Sequence, residues 1–200
     1  MSSPLDVAII DCGGANLASL QFALERLGAR SHVTSDPAAI AAAPRVLLPG
    51  VGAAADAMRR LRAGELDRLI PRLRVPLLGI CLGMQLLFEH SAEGDTSCLG
   101  VFEGEVQRLM PGPGMPVPHM GWNTLEACRT DALLAELPHT PYVYFVHSYA
   151  ARAGVHTLAT VNYGQPLAAV VRRDNFCGVQ FHPERSAANG ARVLRNFLAL

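Results

Sequence analysis

Apolar and polar positions alternate along the chain in two different ways. In the first half, short apolar runs at residues 6–10, 32–34 and 46–48 are typical of strands, and leucines and alanines between them recur at helical spacing. In the second half, short runs rich in aromatic and β-branched residues follow one another with little more than turns between them. The first pattern indicates βα units and the second indicates hairpins, so the sequence predicts an α/β domain.

The predicted elements have approximate bounds. Helices are expected at residues 16–27, 53–73 and 187–200, with the second broken by Gly64 and Pro71. The later strands are expected at residues 142–149, 158–161, 168–171 and 176–181. Residues 93–118 are rich in turn residues and contain PGPGMPVP, so they are expected to form a surface loop.

The stretch Val75–Phe88, VPLLGICLGMQLLF, is predicted to be a buried strand that turns sharply into a helix, with Cys81 at the corner. Gly79 and Gly83 flank the cysteine at the spacing seen where a nucleophile sits on strained, closely packed backbone. The carboxyl end of a sheet and a helix N-terminus would expose a thiol and stabilise its thiolate. The alternative is an inert cysteine buried in the core.

The composition fits one domain spanning residues 1–200. Half of the 200 residues are hydrophobic and 17% are charged, which allows a core of ordinary size. The 17 basic residues, all arginine, balance the 17 acidic ones. No basic field would recruit nucleic acid or an anionic membrane surface, so the expected partners are proteins or small molecules.

The cysteines and the N-terminus indicate a cellular compartment. The five cysteines are scattered and form no CxxC pair, so neither a disulfide framework nor a zinc site is predicted, and no metal or cofactor is expected. The chain begins without a cationic leader, and no apolar run approaches the length of a membrane span. A location in the reducing cytoplasm is therefore expected.

Two glycine-containing loops follow early strands. DCGGAN at 11–16 lacks both the dinucleotide fingerprint and the Walker spacing, so a tight turn is favoured over a phosphate cradle. In PGVG at 49–52, Gly50 and Gly52 flank Val51 just before a predicted helix. Backbone N–H groups often face a ligand at such a place, although a plain βα turn would have the same sequence.

The tripeptide His182-Pro183-Glu184 follows the last predicted strand. The residue before a proline is extended, and extended residues two apart point the same way, so the Glu184 carboxylate can lie beside the His182 ring. Taken singly, they would be a strand-end histidine and a solvated charge. With Cys81, they give a nucleophile, a base and a carboxylate that orients the base.

On these residues the chain resembles the class I (triad) glutamine amidotransferases, through GICLGMQLL around Cys81 and GVQFHPERS around His182. Within that family it is similar to the glutaminase subunits of imidazole glycerol phosphate synthase. That second likeness lies in PGVGAAADAM at 49–58, PHMGWN at 118–123 and YFVHSY at 144–149. The resemblance implies a single α/β domain with a mixed, mostly parallel central sheet and helices on both faces.

The resemblance also implies a reaction. Cys81 would attack the side-chain amide of glutamine, giving a thioester and ammonia, and water would then release glutamate. His182 would be base and then acid, with Glu184 orienting it. The Leu82 N–H and the Val51 peptide would form the oxyanion hole. With glycine on both sides, the Val51 peptide is predicted to rotate into and out of the donating position, so that activity depends on a partner.

The implied partner is a (β/α)₈-barrel cyclase subunit, which would receive the ammonia for imidazole glycerol phosphate synthesis in histidine biosynthesis. The implied glutamine-binding residues are Gly50, Gly52, Gln85, Glu93, His147, Ser148 and Tyr149. The residues implied at the partner interface or its gate are Asn16, Trp122, Tyr144 and Arg185. This chain departs from the usual family pattern in having Cys12, Ala15 and Arg185.

Three other classes of protein remain open from the residues themselves. A stand-alone thiol hydrolase acting on γ-glutamyl substrates would use the same three residues without a partner. A non-catalytic interaction subunit would have no chemical need for all three. A cofactor-binding doubly wound domain is disfavoured by the missing phosphate fingerprint.

Overall fold

An eight-stranded mixed sheet lies at the centre of the computed structural model, which describes residues 5–13 and 17–200. The strands are β1 (Leu5–Ile10), β2 (Ala29–Thr34), β3 (Val46–Gly50), β4 (Leu77–Cys81), β5 (Phe88–Ser91), β6 (Thr96–Ser97), β7 (Phe102–Arg108), β8 (His119–Thr124), β9 (Glu126–Ala127), β10 (Tyr142–His147), β11 (Tyr149–Ala151), β12 (Thr157–Asn162), β13 (Pro166–Arg173) and β14 (Phe176–Val179). The α-helices are α1 (Leu17–Arg26), α2 (Pro37–Ala42), α3 (Ala54–Ala63), α4 (Leu66–Leu69), α5 (Leu82–Gln85) and α6 (Ala187–Leu198). Short 3-10 turns lie at Ile70–Arg72, Ala132–Leu134 and Pro183–Arg185.

The central sheet is parallel on one side and antiparallel on the other. In the order β2-β1-β3-β4-β14-β13-β12-β9, the first five strands are parallel to one another and the remaining pairs are antiparallel. The implied mixed, mostly parallel sheet is confirmed. Because β3, β4 and β14 are parallel neighbours, the segments that follow them meet at one edge of the sheet.

Helices cover both faces of this sheet, as predicted. Alternate residues of β1 point to opposite faces, so that Val7 and Ile9 belong to one apolar core and Ala8 and Ile10 to the other. The first core includes side chains of α1 and α6, and the second includes side chains of α2, α3 and α4. Burial on both faces explains why β3 and β4 are continuous apolar runs.

Two smaller sheets stand beside the central one. β8 and β10 form an antiparallel ribbon, and β11, β7, β5 and β6 form a four-stranded sheet. The prediction of a loop over residues 93–118 is therefore wrong where β6 and β7 lie. β7 buries only Phe102 and Val106 among its seven residues, so it shows little of the alternation by which a strand is recognised.

The helix predicted to run from the cysteine through Phe88 is too long. α5 ends at Gln85, and Phe88 begins β5, where it pairs with Phe102 of β7 with ring centroids 5.5 Å apart. Met84 and Leu87 are also fully buried. Apolar spacing in a wholly buried stretch does not separate helix from strand, and here the pairing with β7 decides.

The other predicted elements are present with small shifts of their bounds. The stretch at 53–73 is broken as expected into α3, α4 and the 3-10 turn that contains Pro71. The strand expected at 142–149 is interrupted at Ser148, so that β10 and β11 enter different sheets. Within the residues that the structure describes, no helix is long and apolar enough to cross a membrane.

Candidate active site

Cys81 lies at a sharp corner between β4 and α5. It is the last residue of the strand, and its φ of 54° and ψ of −113° lie in a region that residues with a side chain rarely occupy. The next residue, Leu82, begins the helix. Such a strained strand-to-helix turn presents a nucleophile at the edge of a sheet, so the corner predicted from the glycine pattern is present.

Glycines allow three backbone segments to meet at this corner. A Cβ on Gly83 would overlap Leu48 O of the neighbouring strand. A Cβ on Gly79 would lie 2.7 Å from Gly83 O, and one on Gly50 would lie 2.9 Å from Gly83 N, both too close for a carbon atom. The glycines around Cys81 therefore permit the close packing of β3, β4 and α5.

His182 and Glu184 follow β14, the strand beside β4. His182 is extended, but residues 183–185 form a 3-10 turn, so the expected extended path to Glu184 is wrong. The turn still brings Glu184 Oε1 to 3.0 Å from His182 Nδ1, with both side chains 9% exposed. Since Nδ1 donates to the carboxylate, Nε2 is the nitrogen left to exchange a proton.

Contacts with β10 and α6 hold this turn in place. His182 N donates to Tyr144 O at 2.9 Å, Tyr144 N donates to Ser186 Oγ at 2.9 Å, and Ser186 Oγ donates to His182 O at 2.7 Å. A Cβ on Gly190 would overlap Pro183 O, so this glycine lets α6 pack directly against the turn. The backbone that carries the His182 ring is thus held by contacts with β10 and with the start of α6.

The surroundings of His182 favour its charged form. Burial lowers the pKa of His182, but the Cys81 and Glu184 side chains together raise it more, from 6.5 to about 10. Nε2 has no hydrogen-bond partner of standard geometry among the described residues. The Cys81 side chain is nevertheless close enough to raise the pKa of His182. A positive imidazole beside the sulfur favours the thiolate, which is the nucleophilic form of cysteine.

Cys81 and His182 both line one cavity of about 340 Å³. Most of the predicted glutamine-binding residues line it too, namely Gly52, Gln85, Glu93, His147, Ser148 and Tyr149. The predicted oxyanion-hole residues Val51 and Leu82 are also on its wall. Gly50 does not line it and lies instead against Leu82 and Gly83 at the end of β3. A cavity of this size suits a small ligand.

Gln85 and Glu93 are held by hydrogen bonds within the protein. Gln85 Nε2 donates to Tyr149 O at 2.7 Å and to Gln180 Oε1 at 3.0 Å. Glu93 Oε2 accepts from Ala54 N at 2.8 Å, at the first residue of α3. Glu93 therefore caps a helix, where a negative charge is favourable, in addition to lining the cavity.

Gln180 is a residue of this site that the sequence reasoning did not single out. Its side chain is fully buried, and its Nε2 lies 3.8 Å from Cys81 Sγ. It belongs to the motif GVQFHPERS, but a neutral amide carries no chemical signature in a sequence. The signal that finds it is the register of β14 against β4, which aligns Val179 with Ile80 and so brings the next residue beside the cysteine.

A directional chain of hydrogen bonds begins at Tyr149 and His147 on the cavity wall. Tyr149 O can only accept, so His147 donates from Nδ1 at 2.9 Å, and its Nε2 then accepts from His119 Nδ1 at 3.0 Å. His119 Nε2 accepts in turn from Asn123 Nδ2 at 3.3 Å. Both histidines are neutral in this arrangement, and burial lowers the pKa of each to about 4. His119 is buried.

A second cavity, of about 470 Å³, shares Val51, Val146 and His182 with the first. Glu184 and Arg185 are also on its wall. The histidine and the Val51 peptide therefore lie between two cavities, so a small molecule released at Cys81 has a second space beside it.

Three of the predicted interface residues form one row near this second cavity. Arg185 Cζ lies 4.4 Å from the centroid of the Tyr144 ring, and Trp122 meets the same ring edge-on at 5.9 Å. Trp122 is 52% exposed. Asn16 and the departure Ala15 lie outside the described residues, and Cys12 is buried with its thiol donating to Pro49 O at 2.7 Å.

The fold and the Cys–His–Glu geometry agree with what the family comparison finds. Residues 8–200 match the family described as Glutamine amidotransferase class-I. The chain belongs to the class I glutamine amidotransferase family.

Within this family, the chain is similar to proteins named Imidazole glycerol phosphate synthase subunit HisH. It is 55% identical to the protein of that name from Xanthomonas axonopodis pv. citri (strain 306), over 195 residues that cover 98% of each chain. It is 53% identical to the one from Xylella fastidiosa (strain Temecula1), with the same coverage. The resemblance stated from PHMGWN and YFVHSY is confirmed.

Solved structures of lower sequence identity share the fold. The crystal structure of a glutamine amidotransferase has a TM-score of 0.75 at 21% identity, covering 96% of this chain and 97% of that one. The structure of PurLQS from Thermotoga maritima has a TM-score of 0.72 at 17% identity, covering 98% and 99%. At these identities the likeness concerns the fold alone.

Proposed function

We propose that this chain is the glutaminase subunit of imidazole glycerol phosphate synthase and that it hydrolyses glutamine to glutamate and ammonia at Cys81. The observation that carries the proposal is the juxtaposition of three groups at one sheet edge. Cys81 stands on a strained corner, His182 lines the same cavity, and Glu184 Oε1 lies 3.0 Å from His182 Nδ1. Relatives that are 55% identical over 98% of the chain bear the name of this synthase subunit.

The first half of the reaction forms a thioester. The Cys81 thiolate attacks the amide carbon of the glutamine side chain, and the carbonyl oxygen becomes an oxyanion. His182 donates its Nε2 proton to the amide nitrogen, the carbon–nitrogen bond breaks, and ammonia leaves. The raised pKa of His182 supplies that proton without an external acid.

The second half hydrolyses the thioester. The neutral His182 Nε2 takes a proton from water, the resulting hydroxide attacks the thioester carbon, and the carbon–sulfur bond breaks. The γ-carboxylic acid so formed loses its proton to solvent and leaves as glutamate. The thiolate leaves and the imidazole keeps the proton, so the starting ion pair is restored. Glu184 accepts a hydrogen bond from Nδ1 throughout and stabilises the imidazolium.

The oxyanion donors in this proposal are the backbone N–H groups of Leu82 and Val51. Leu82 is the first residue of α5, and the first N–H groups of a helix have no partner within it. Val51, which stands between Gly50 and Gly52 in the sequence, lines the cavity. Gly52 has a φ of 89°. Each such donor lowers the barrier by about 3 kcal/mol.

The proposal assigns glutamine recognition to the remaining wall of the first cavity. Gln85, with both amide hydrogens donated within the protein, presents its oxygen to the ligand. Glu93 offers a carboxylate, and Ser148 a hydroxyl, on the same wall. Gly52, His147 and Tyr149 complete the proposed set.

The proposed partner is the (β/α)₈-barrel cyclase subunit, which would form a heterodimer with this chain and receive the ammonia. The row of Trp122, Tyr144 and Arg185 beside the second cavity is the proposed docking surface. An exposed tryptophan and an arginine stacked on a tyrosine are residue types that dominate binding energy at interfaces. Asn16 stays a predicted interface residue.

The proposed location is the cytoplasm. Cys81 acts only as a reduced thiolate, and all five cysteines are free thiols. A reducing compartment keeps such a nucleophile active.

The test is glutamate release from glutamine by the purified chain, alone and with its cognate cyclase subunit and nucleotide ligand. Low release alone, a large rise in the complex, and loss of release in Cys81→Ala are expected. Cys128→Ala, at an exposed free thiol, is the matched control and should retain full activity. Full release by the isolated chain would indicate a stand-alone hydrolase, and no release under any condition would indicate a binding subunit.

A further inference from the structure

We propose that Gln180 is a further catalytic residue, whose side-chain amide donates a hydrogen bond to the Cys81 thiolate. The Nε2 atom lies 3.8 Å from Sγ, within hydrogen-bond distance for a sulfur acceptor. The inference deepens the proposed glutaminase function and rests on it, because it concerns the same nucleophile.

The orientation of the Gln180 amide follows from its neighbours. Tyr149 O can only accept, so the Gln85 atom 2.7 Å from it is the nitrogen. That nitrogen donates its second hydrogen, so the Gln180 atom 3.0 Å away is the oxygen. The Gln180 nitrogen is therefore the atom that faces Cys81, and the contact with sulfur is made by a donor.

The packing leaves this amide little choice of position. Gln180 is 0% exposed, its backbone N–H donates to Ala169 O at 2.9 Å, and the preceding residue Val179 pairs with Ile80 of β4. A buried amide with both ends bonded is held in one orientation, since losing either bond would leave a polar group unsatisfied.

A second polar group, Val146 O, also lies near the sulfur, and its effect opposes that of the Gln180 donor. Cys81 Sγ lies 3.7 Å from Val146 O, which can only accept and therefore favours the protonated thiol. Gln180 Nε2 can only donate and favours the thiolate. If the Gln180 amide were removed, the sulfur would keep its contact with the acceptor Val146 O and lose its contact with this donor.

The test measures the alkylation rate of Cys81 by iodoacetamide as a function of pH, followed by mass spectrometry of the Cys81 peptide. Gln180→Met keeps the size and removes the donor, and Gln180→Glu keeps the acceptor for Gln85 and replaces the donor with a carboxylate. In both variants the midpoint of the pH profile should move to higher pH, by about one unit for Met, which is about a tenfold loss of rate at pH values below the midpoint.

Two controls separate this role from a general loss of packing. Exposed Cys128 in the same sample is an internal standard whose alkylation should not change. Thr157→Val removes a buried hydroxyl that accepts from Gly154 N in the hairpin region, and it should lower stability but leave the Cys81 midpoint unchanged.

Either folded Gln180 variant with the wild-type midpoint would overturn the proposal. The assay needs neither glutamine nor a partner, so it is independent of the proposed glutaminase activity. A shifted midpoint in a chain that does not hydrolyse glutamine would retain the Gln180–Cys81 contact and remove the proposed function. An unshifted midpoint in an active glutaminase would do the reverse.

Discussion

The hydrogen-bonded histidines His119 and His147, of which His147 lines the cavity, predict how the protein responds to acid. His119 and His147 are 4% and 6% exposed, and the hydrogen-bond chain that joins them requires both to be neutral. Their pKa values are lowered from 6.5 to about 4, chiefly by burial. Between these values the unfolded chain binds more protons than the folded one, so stability falls as the pH falls through this window.

The size of the effect follows from the two pKa values. Between about pH 7.5 and pH 5.0, each histidine accounts for a loss of about 2 kcal/mol in the free energy of unfolding. His182 acts with the opposite sign, because its pKa is raised to about 10 and its contribution is lost as the pH rises from 6.5 toward that value. A comparison of variants over one pH range cancels the contribution of His182.

The perturbation is His119→Gln, which removes one titrating group and the charge repulsion on the other. Urea unfolding should show that its stability falls by about 2 kcal/mol less than that of wild type over this range. Exposed His32→Gln is the matched control and should keep the wild-type pH slope. If His119→Gln kept the wild-type slope as well, the argument that burial holds these histidines neutral would be refuted.

Four further substitutions test other parts of the account. Gly83→Ala would drive a Cβ into Leu48 O, so thermal denaturation should show a loss of several kcal/mol or no folded protein. Glu184→Gln should lower glutamate release in the complex by about 10³-fold or more, since the tautomer of His182 is no longer fixed. Trp122→Ala should weaken cyclase binding in calorimetry by about 2 kcal/mol and leave alkylation of Cys81 unchanged. Gly52→Ala, at a φ of 89° with open space around it, should change basal and partner-stimulated glutamate release by different factors. Basal and stimulated release both equal to those of wild type would contradict a rotating Val51 peptide.

The sequence predicted the parts of the site whose chemistry is visible in single residues. A thiol between glycines and a histidine followed by Pro-Glu can be recognised without a structure, because few other arrangements need those residue types at that spacing. The strand that ends at Cys81 was also predictable from its apolar run, but the parallel pairing of β14 with β4 was implied only by the family resemblance. The prediction of an extended chain from His182 to Glu184 was wrong because the proline starts a 3-10 turn.

The parts that sequence reasoning missed depend on contacts between distant segments. Gln180 is found only from the register of β14 on β4, and the pairing of His119 with His147 only from the ribbon of β8 and β10. β7 was missed because its own alternation of buried and exposed residues is weak. It is recognised as a strand only by its pairing with β5 on one side and β11 on the other. The roles of neutral amides, neutral histidines and half-exposed strands depend on the residues that they contact in the fold.

The most direct test of the central claim is to trap the covalent intermediate. The complex with the cyclase subunit, turning over glutamine labelled in its carbon skeleton, is quenched with acid and digested. A γ-glutamyl label is expected on the peptide that contains Cys81, released by hydroxylamine and absent from Cys81→Ala. A label on another residue, or undiminished glutamate release by Cys81→Ala, would contradict it.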